Sequence, residues 1–304
     1  ELGRHRSILR AAQAANLTQP AASKLLAELE HALGVTLFER LPRGVQPTRY
    51  GEVLIRRAGA ALAELSAAHQ EVAELADGLS GRISLGTVMT PAIGLVPEAV
   101  LKLKQAHARV QVSITVDTSK ALIQQLREGR HDIVISRILD SESAAELNFE
   151  PLTDEPHSLI VRAGHPLLKR SALALPDLAA QAWVMPSPGS ILRDRLTALF
   201  LSQGVPEPQE IVETTAVPCI TQLLLASDMV TALPPELVQE QLDAGHLATL
   251  PLELGLRMDL YGIVTRKHHQ LAPGPAVLLD LLREGGRQRY GAASTSSAAY
   301  TKLG

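Results

Sequence analysis

The chain has 304 residues, 46% of them apolar and 20% charged. This composition fits two or three globular domains and excludes a low-complexity or fibrous chain. No apolar run reaches the ~18 residues that span a bilayer, and a single cysteine, Cys219, excludes an internal disulfide framework and is expected as a small buried thiol in a reducing, cytoplasmic setting. The net charge of −3 is uneven. Residues 1–57 carry nine Lys or Arg against five Glu (net +4) and the remainder a net of −7, so the N-terminal segment suits a polyanionic partner.

Residues 7–15 read as a short helix with Ser7 as N-cap. Asn16 and Leu17 break it, and Thr18 caps a second helix whose first turn tolerates Pro20. Ala22, Leu25, Leu26 and Leu29 form one apolar stripe, and Gln19, Ser23 and Lys24 occupy the other face. Two short helices with a tight turn make a helix-turn-helix. In that motif the N-terminal end of the second helix enters the major groove, so Thr18, Gln19, Pro20, Ser23 and Lys24 are the candidate DNA contacts. Residues 40–50 form a basic turn with Gly44 and two prolines. It is expected to be a two-stranded wing that places Arg40, Arg43, Thr48 and Arg49 near the DNA backbone.

Arg10-Ala11-Ala12, Leu17-Thr18-Gln19-Pro20-Ala21-Ala22-Ser23, Leu29-Glu30, Leu33-Gly34, Leu37-Phe38-Glu39-Arg40, Gly44 and Pro47-Thr48 together resemble the DNA-binding domain of LysR-type transcriptional regulators. The resemblance implies a winged helix-turn-helix over 1–57 and double-stranded DNA as partner. It also places most of the family's first helix upstream of Gly3.

From Gly51 to Gly78 there is no proline, and Ala58, Ala61, Leu65, Ala68, Val72 and Leu75 alternate spacings of three and four, a heptad seam. A linker helix is therefore expected over 58–80, with Leu79, Ser80 and Gly81 as the joint. The seam is compatible with an amphipathic helix lying on its own domain. The resemblance favours a homodimer, as a dimer of dimers, and admits RNA polymerase as a further partner. A dimer would place two recognition helices about 34 Å apart.

Beyond the joint the period alternates between two and 3.6. Strands are expected at Ile83–Leu85, at Val110, Val112, Ile114 and Val116, and at Ile133–Ile135, with helices over 91–107 and 119–128. That order implies a parallel sheet with right-handed crossovers. A second block has strands near 157–162, 182–185, 210–215 and 229–232 and helices near 190–203, 217–226 and 235–243. The chain then returns with Tyr261–Thr265 and a helix over 275–284. Two lobes follow, lobe I over 81–156 and 260–290 and lobe II over 157–259, with a disordered tail over 291–304. Residues 82–285 resemble the LysR effector domain, related in fold to type 2 periplasmic binding proteins. The stretches VMPSPGS, VETTAV, SDMVTALP and YGIVTRK most resemble regulators of galactose-binding-protein genes and of protocatechuate degradation. The expected fold class is α/β: a winged helix-turn-helix, a linker helix and a two-lobed, type 2 periplasmic-binding-protein-like effector domain.

In open α/β sheets ligands bind beyond the carboxyl ends of strands, near helix N-termini. Those points are Thr90, Thr118, Ser119 and Arg137 in lobe I and Ser187, Gly189, Ser190, Thr214 and Thr215 in lobe II. Hydroxyls, free helix N–H groups and one arginine suit a small anion or a sugar. Each hydroxyl is equally readable as a plain N-cap, and Arg137 as a surface ion pair. No GxSxG, Walker, HExxH or GxGxxG pattern is present, and His268-His269 are adjacent rather than at helical spacing. His157 and His165 read as structural. The expectation is a cytoplasmic, effector-modulated DNA-binding regulator with no catalytic residues, no metal, no cofactor and no membrane partner. The alternative is a solute-binding or ligand-sensing module without DNA-binding output.

Overall fold

A computed structural model of the chain describes residues 1–42, 44–77, 80–139, 145–267 and 269–291. Arg43, the joint residue Leu79, His268 and the expected disordered tail beyond residue 291 lie outside the described residues.

The N-terminal module begins with α1 (Leu2–His5), α2 (Ile8–Ala14) and α3 (Gln19–Leu33). The expected caps are in place: Ser7 Oγ accepts from Arg10 N at 3.4 Å and Thr18 Oγ1 from Ala21 N at 3.4 Å. Gly34, at φ 68°, ends α3 in the left-handed conformation. The apolar stripe of α3 is covered less than expected. Leu25 and Leu29 remain exposed, whereas Ala22 and Leu26 are half-buried. The wing is β1 (Phe38–Leu41) paired antiparallel with β2 (Gly44–Pro47). Sequence reasoning missed Glu30, whose Oε1 accepts from Leu37 N at 2.7 Å and Phe38 N at 3.1 Å and so ties α3 to the wing.

The linker helix α4 runs from Arg49 to Asp77, so it starts inside the segment assigned to the DNA module. Gly51 has to be glycine: a Cβ there would meet the Leu37 carbonyl oxygen. Ala58, Ala61, Leu65, Ala68 and Val72 of the seam are exposed, while the side chain of Leu75 lies outside the described set. A different face packs on the protein itself. Gly59 abuts the backbone of Glu128, Ala63 meets Gly129, and Glu64 pairs with His269.

Lobe I holds β3 (Arg82–Thr87), α5 (Met89–Ile93), α6 (Leu95–Ala106), β4 (Gln111–Val116), α7 (Ser119–Arg127), β5 (Ile133–Ser136) and β6 (Leu147–Pro156). The expected helix over 91–107 is split at Gly94. Lobe II holds β7 (Ser158–Arg162), α8 (Leu175–Ala179), β8 (Trp183–Met185), α9 (Ile191–Ser202), β9 (Ile211–Glu213), α10 (Val217–Ala226), β10 (Thr231–Leu233), α11 (Gln239–Asp243) and β11 (Leu247–Thr249). Then β12 (Arg257–Arg266) and α12 (Pro273–Tyr290) return to lobe I.

The lobe I sheet has the order β4-β3-β5-β12-β6. β3 is parallel to β4 and β5, as expected, but β12 is antiparallel to both β5 and β6. The parallel sheet is therefore only half of the sheet. β4 is an edge strand, which explains why Ile114 and Val116 are exposed despite their strict alternation. Lobe II repeats the plan. β8 is parallel to β9 and bridges Val230 in parallel, while β7 is antiparallel to β10 and β11. Its core centres on Trp183, edge-on to Phe200 at 5.9 Å, with Trp183 Nε1 donating to Leu178 O at 2.8 Å. His165 is structural, as expected: it is buried, and its Nδ1 accepts from Leu167 N at 3.1 Å. Cys219 is exposed rather than buried, because α10 turns Ile220, Thr221 and Leu224 inward and leaves position 219 on the opposite side.

His131 joins β3 to α7. Its Nε2 lies 2.7 Å from Gln125 Oε1 and must donate, so its Nδ1 accepts from Ser84 Oγ at 2.9 Å. Burial pushes its pKa down from 6.5 to about 4. Between those values the unfolded chain binds a proton that the folded chain refuses, so lobe I loses stability as pH falls from 6.5 toward 4. Thermal unfolding from pH 7 to pH 4 is expected to record that loss, with a shallower slope in His131→Gln; equal slopes in both proteins would contradict it.

Candidate functional site

Two groups of predicted residues are placed by these elements. At the start of α3, Thr18, Gln19, Pro20 and Lys24 are exposed and Ser23 is half-buried. Lys24 Nζ lies 3.7 Å from Glu28 Oε1, but both side chains are mostly exposed, so the pair is weak and readily exchanged for a phosphate. Arg40 is exposed on β1. Thr48 departs from its expected role. Its hydroxyl donates to Thr36 O at 2.7 Å and accepts from Gly51 N at 3.2 Å, which makes it the cap of α4 rather than a free donor.

In lobe I, Thr90, Ser119 and Arg137 come together at the carboxyl ends of the strands, and all three are buried. Arg137 Nη2 donates to Glu155 Oε2 at 2.6 Å, its Nε to Asp259 O at 2.9 Å, and its backbone N–H to Ser119 Oγ at 3.4 Å. Thr90 Oγ1 donates to the other oxygen of Glu155. The guanidinium lies 5.6 Å from the Tyr261 ring centre. Arg137 is therefore neither a surface ion pair nor an unmatched cation; it is a buried, paired one. Asp259 also reaches lobe II, where its carboxylate accepts from Arg195 Nη2 on α9 at 2.9 Å. His157 lies beside this network, and burial holds its pKa below the usual value.

Glu155, Asp259 and Tyr261 were missed as site residues: Glu155 sits on β6, which was not predicted, Asp259 lies before the expected strand Tyr261–Thr265, and Tyr261 was read only as the start of that strand. Thr118 does not join the network: its Oγ1 accepts from Ala121 N at 3.4 Å as the N-cap of α7. In lobe II, Ser190 caps α9 through Arg193 N at 3.2 Å and Thr214 Oγ1 accepts from Ala216 N at 3.1 Å. Ser187 and Thr215 are exposed at the ends of β8 and β9.

A winged helix-turn-helix joined by a long helix to two α/β lobes with strand ends facing a hinge defines a ligand-responsive DNA-binding regulator. Residues 1–52 match the bacterial regulatory helix-turn-helix family of lysR type, and residues 76–287 match the LysR substrate binding domain. The chain belongs to the LysR family of transcriptional regulators. It is 38% identical over 284 residues to the HTH-type transcriptional regulator GbpR of Azospirillum brasilense, covering 93% of this chain and 83% of that protein. It is 31% identical over 290 residues to PcaQ of Agrobacterium fabrum, covering 95% and 93%. Among solved structures, ArgP from Mycobacterium tuberculosis superposes with a TM-score of 0.67 at 19% identity, covering 94% of this chain and 93% of that one. The effector binding domain of QuiR in complex with shikimate gives 0.56 at 22% identity, covering 70% and 100%.

Proposed function

We propose that this regulator reads DNA through Thr18, Gln19, Pro20, Ser23 and Lys24 of α3 with Arg40 and Arg43 from the wing, and that its effector lies between the lobes. Thr90, Thr118, Ser119 and Arg137 would meet it from lobe I, and Ser187, Ser190, Thr214 and Thr215 from lobe II. The observation that carries the effector reading is the Thr90–Glu155–Arg137 network. It links two strand ends of lobe I to both crossing strands, and through Asp259 and Arg195 to lobe II. A ligand that exchanges hydrogen bonds with it acts directly on lobe closure. Because Glu155 already matches the charge of Arg137, a polyhydroxylated ligand such as a sugar gains more here than a simple anion. The shikimate held by QuiR carries both hydroxyls and a carboxylate.

The working protein is a cytoplasmic homodimer, paired through the exposed Leu65 and Val72 seam of α4 and assembled as a dimer of dimers, with RNA polymerase as a further partner. It has no catalytic role. The domain limits proposed are 1–57 for the DNA module, which then includes the start of α4, 58–80 for the rest of the linker and 81–290 for the effector domain. Calorimetric titration with a panel of monosaccharides and hydroxy acids tests the cleft. One of them is expected to bind, and Thr90→Val is expected to weaken it by about tenfold, the value of roughly one buried hydrogen bond. Equal binding by both proteins would place the effector elsewhere.

A further inference from the structure

The seat of the linker helix on lobe I has two pieces, the turn at Glu128–Gly129 and the side chain of His269. Both are held by the C-terminal end of β12. Arg266, the last residue of that strand, is buried. Its Nη1 donates to Leu126 O and to His131 O, each at 2.9 Å. These two carbonyls bracket the turn against which Gly59 and Ala63 rest. Three residues further on, His269 has a buried side chain and pairs with Glu64 of α4. Burial works against the charge of Arg266, and the carboxylates that support it are Asp132 and Glu64. Asp132 is itself fixed to β3, accepting from Ser84 N at 2.7 Å. Arg266 therefore answers to lobe I and to the linker helix at once.

The opposite end of the same strand carries the interlobe network. Asp259 O accepts from Arg137 Nε, and the Asp259 carboxylate accepts from Arg195 Nη2 of lobe II. The register shifts of β12 against β6 fall between Met258 and Gly262. Beyond them the strand is regular, and Gly262, Ile263 and Val264 pair with β5 on one side and β6 on the other. Irregular pairing bends locally, whereas a stretch bonded on both sides moves as a unit. Seven steps of about 3.3 Å, roughly 23 Å in all, separate Asp259 from Arg266. At that distance the two ends act on each other through the strand and not through their charges.

We propose that β12 is the output lever of the effector domain, with Arg266 as its positioning residue; this rests on the effector acting at the interlobe network. A lobe movement that pulls on Asp259 passes along the paired stretch to Arg266. Arg266 carries the Glu128–Gly129 turn with it, and His269 carries Glu64. The seat of α4 shifts, and the linker helix re-aims the DNA-reading module at its other end. Arg266 Nη2, buried and without a hydrogen-bond partner among the described residues, leaves the guanidinium a donor with which to re-pair when the strand moves.

Hydrogen exchange of the full chain, without ligand or DNA, tests the lever. The readout is the exchange of amides 128–131 relative to those of β7 in lobe II, a ratio that a general loss of stability does not raise. Asp259→Asn keeps the backbone acceptor of Arg137 and changes a side chain that is 54% exposed, so the variant folds. It is expected to raise the ratio about threefold or more from the far end of the strand. In Arg266→Lys, whose single ammonium lacks the planar fork, Asp259→Asn is expected to have no further effect. Glu64→Gln, at another exposed carboxylate, provides a second reading. Combined with Asp259→Asn it is expected to depart about threefold or more from the product of the two separate effects, where independent sites multiply to within about twofold. An unchanged ratio in Asp259→Asn, the same Asp259 effect in Arg266→Lys, or a double variant equal to the product would overturn the proposal. If Arg266→Lys does not fold, the Asp259 and Glu64 variants decide it. Calorimetric titration of the cleft reports separately on where the effector binds, so the two readings fail independently.

Discussion

Replacing Glu155 by Ala is expected to destabilise the effector domain by about 3–5 kcal/mol, the cost of leaving one member of a buried ion pair alone. The side chains of Arg137 and Glu155 are 6% and 10% exposed, so water cannot take the place of the lost carboxylate. The Thr90 hydroxyl loses its acceptor at the same time. Arg137→Ala is expected to cost a similar amount and to leave Asp259 O without a donor. The double variant Arg137→Met with Glu155→Leu removes both charges and fills the space. Its cost is expected to be far smaller than either single one, because the desolvation penalty of both ions disappears. Urea unfolding followed by far-ultraviolet circular dichroism and by the fluorescence of Trp183, the sole tryptophan, checks this. A single-variant cost below about 1 kcal/mol, the range of an exposed pair, would mean that the pair is solvated and does not organise the crossing strands.

Gly59→Ala is the second large effect, and propensity alone predicts its sign wrongly. Alanine in a helix interior gains about 1 kcal/mol over glycine. At this position, however, the added Cβ collides with the backbone of Glu128, which cannot rotate away as a side chain can. Gly129, on the same loop, has φ 71° and is held close to Ala63, so the loop has little freedom to retreat. Overpacking of this kind costs about 1–3 kcal/mol, which exceeds the propensity gain. The helix is expected to lift from lobe I and to take the Glu64–His269 pair with it. Hydrogen exchange of the amides over 128–131 is expected to accelerate by about tenfold or more. Leu62→Ala, on the exposed face of the same helix, is expected to leave that exchange unchanged. Unchanged protection in Gly59→Ala would mean that α4 does not rest on lobe I in solution.

Much of the fold was legible because its signals are local. Ser7, Thr18, Thr118 and Ser190 each cap the helix that follows, and a capping hydroxyl is visible from its own neighbours. The same fact blurred the ligand site, since a hydroxyl at a helix start serves a cap and a ligand with the same atoms. β6 was missed because only three of its ten residues, Leu147, Leu152 and Glu155, are buried and Pro151 interrupts it. β12 pairs with it through two register shifts, which erase any simple alternation. Without β6 there was no way to see Glu155, and without Glu155 the role of Arg137 stayed open. The packing face of α4 was hidden for a related reason: Gly59 and Ala63 carry almost no hydrophobic signal, whereas the exposed seam of Leu65 and Val72 does.

In this regulator one chain couples small-molecule binding to DNA reading. The most direct measurement is a titration of the protein against duplex DNA carrying an interrupted inverted repeat, at two salt concentrations, with and without the monosaccharide or hydroxy acid that binds the cleft. Binding is expected to weaken steeply with salt, to fall by about tenfold to a hundredfold in Gln19→Ala, as for a side chain that reads a base, and to shift when the small molecule is added. Binding that ignores both the Gln19 substitution and the small molecule would contradict that coupling.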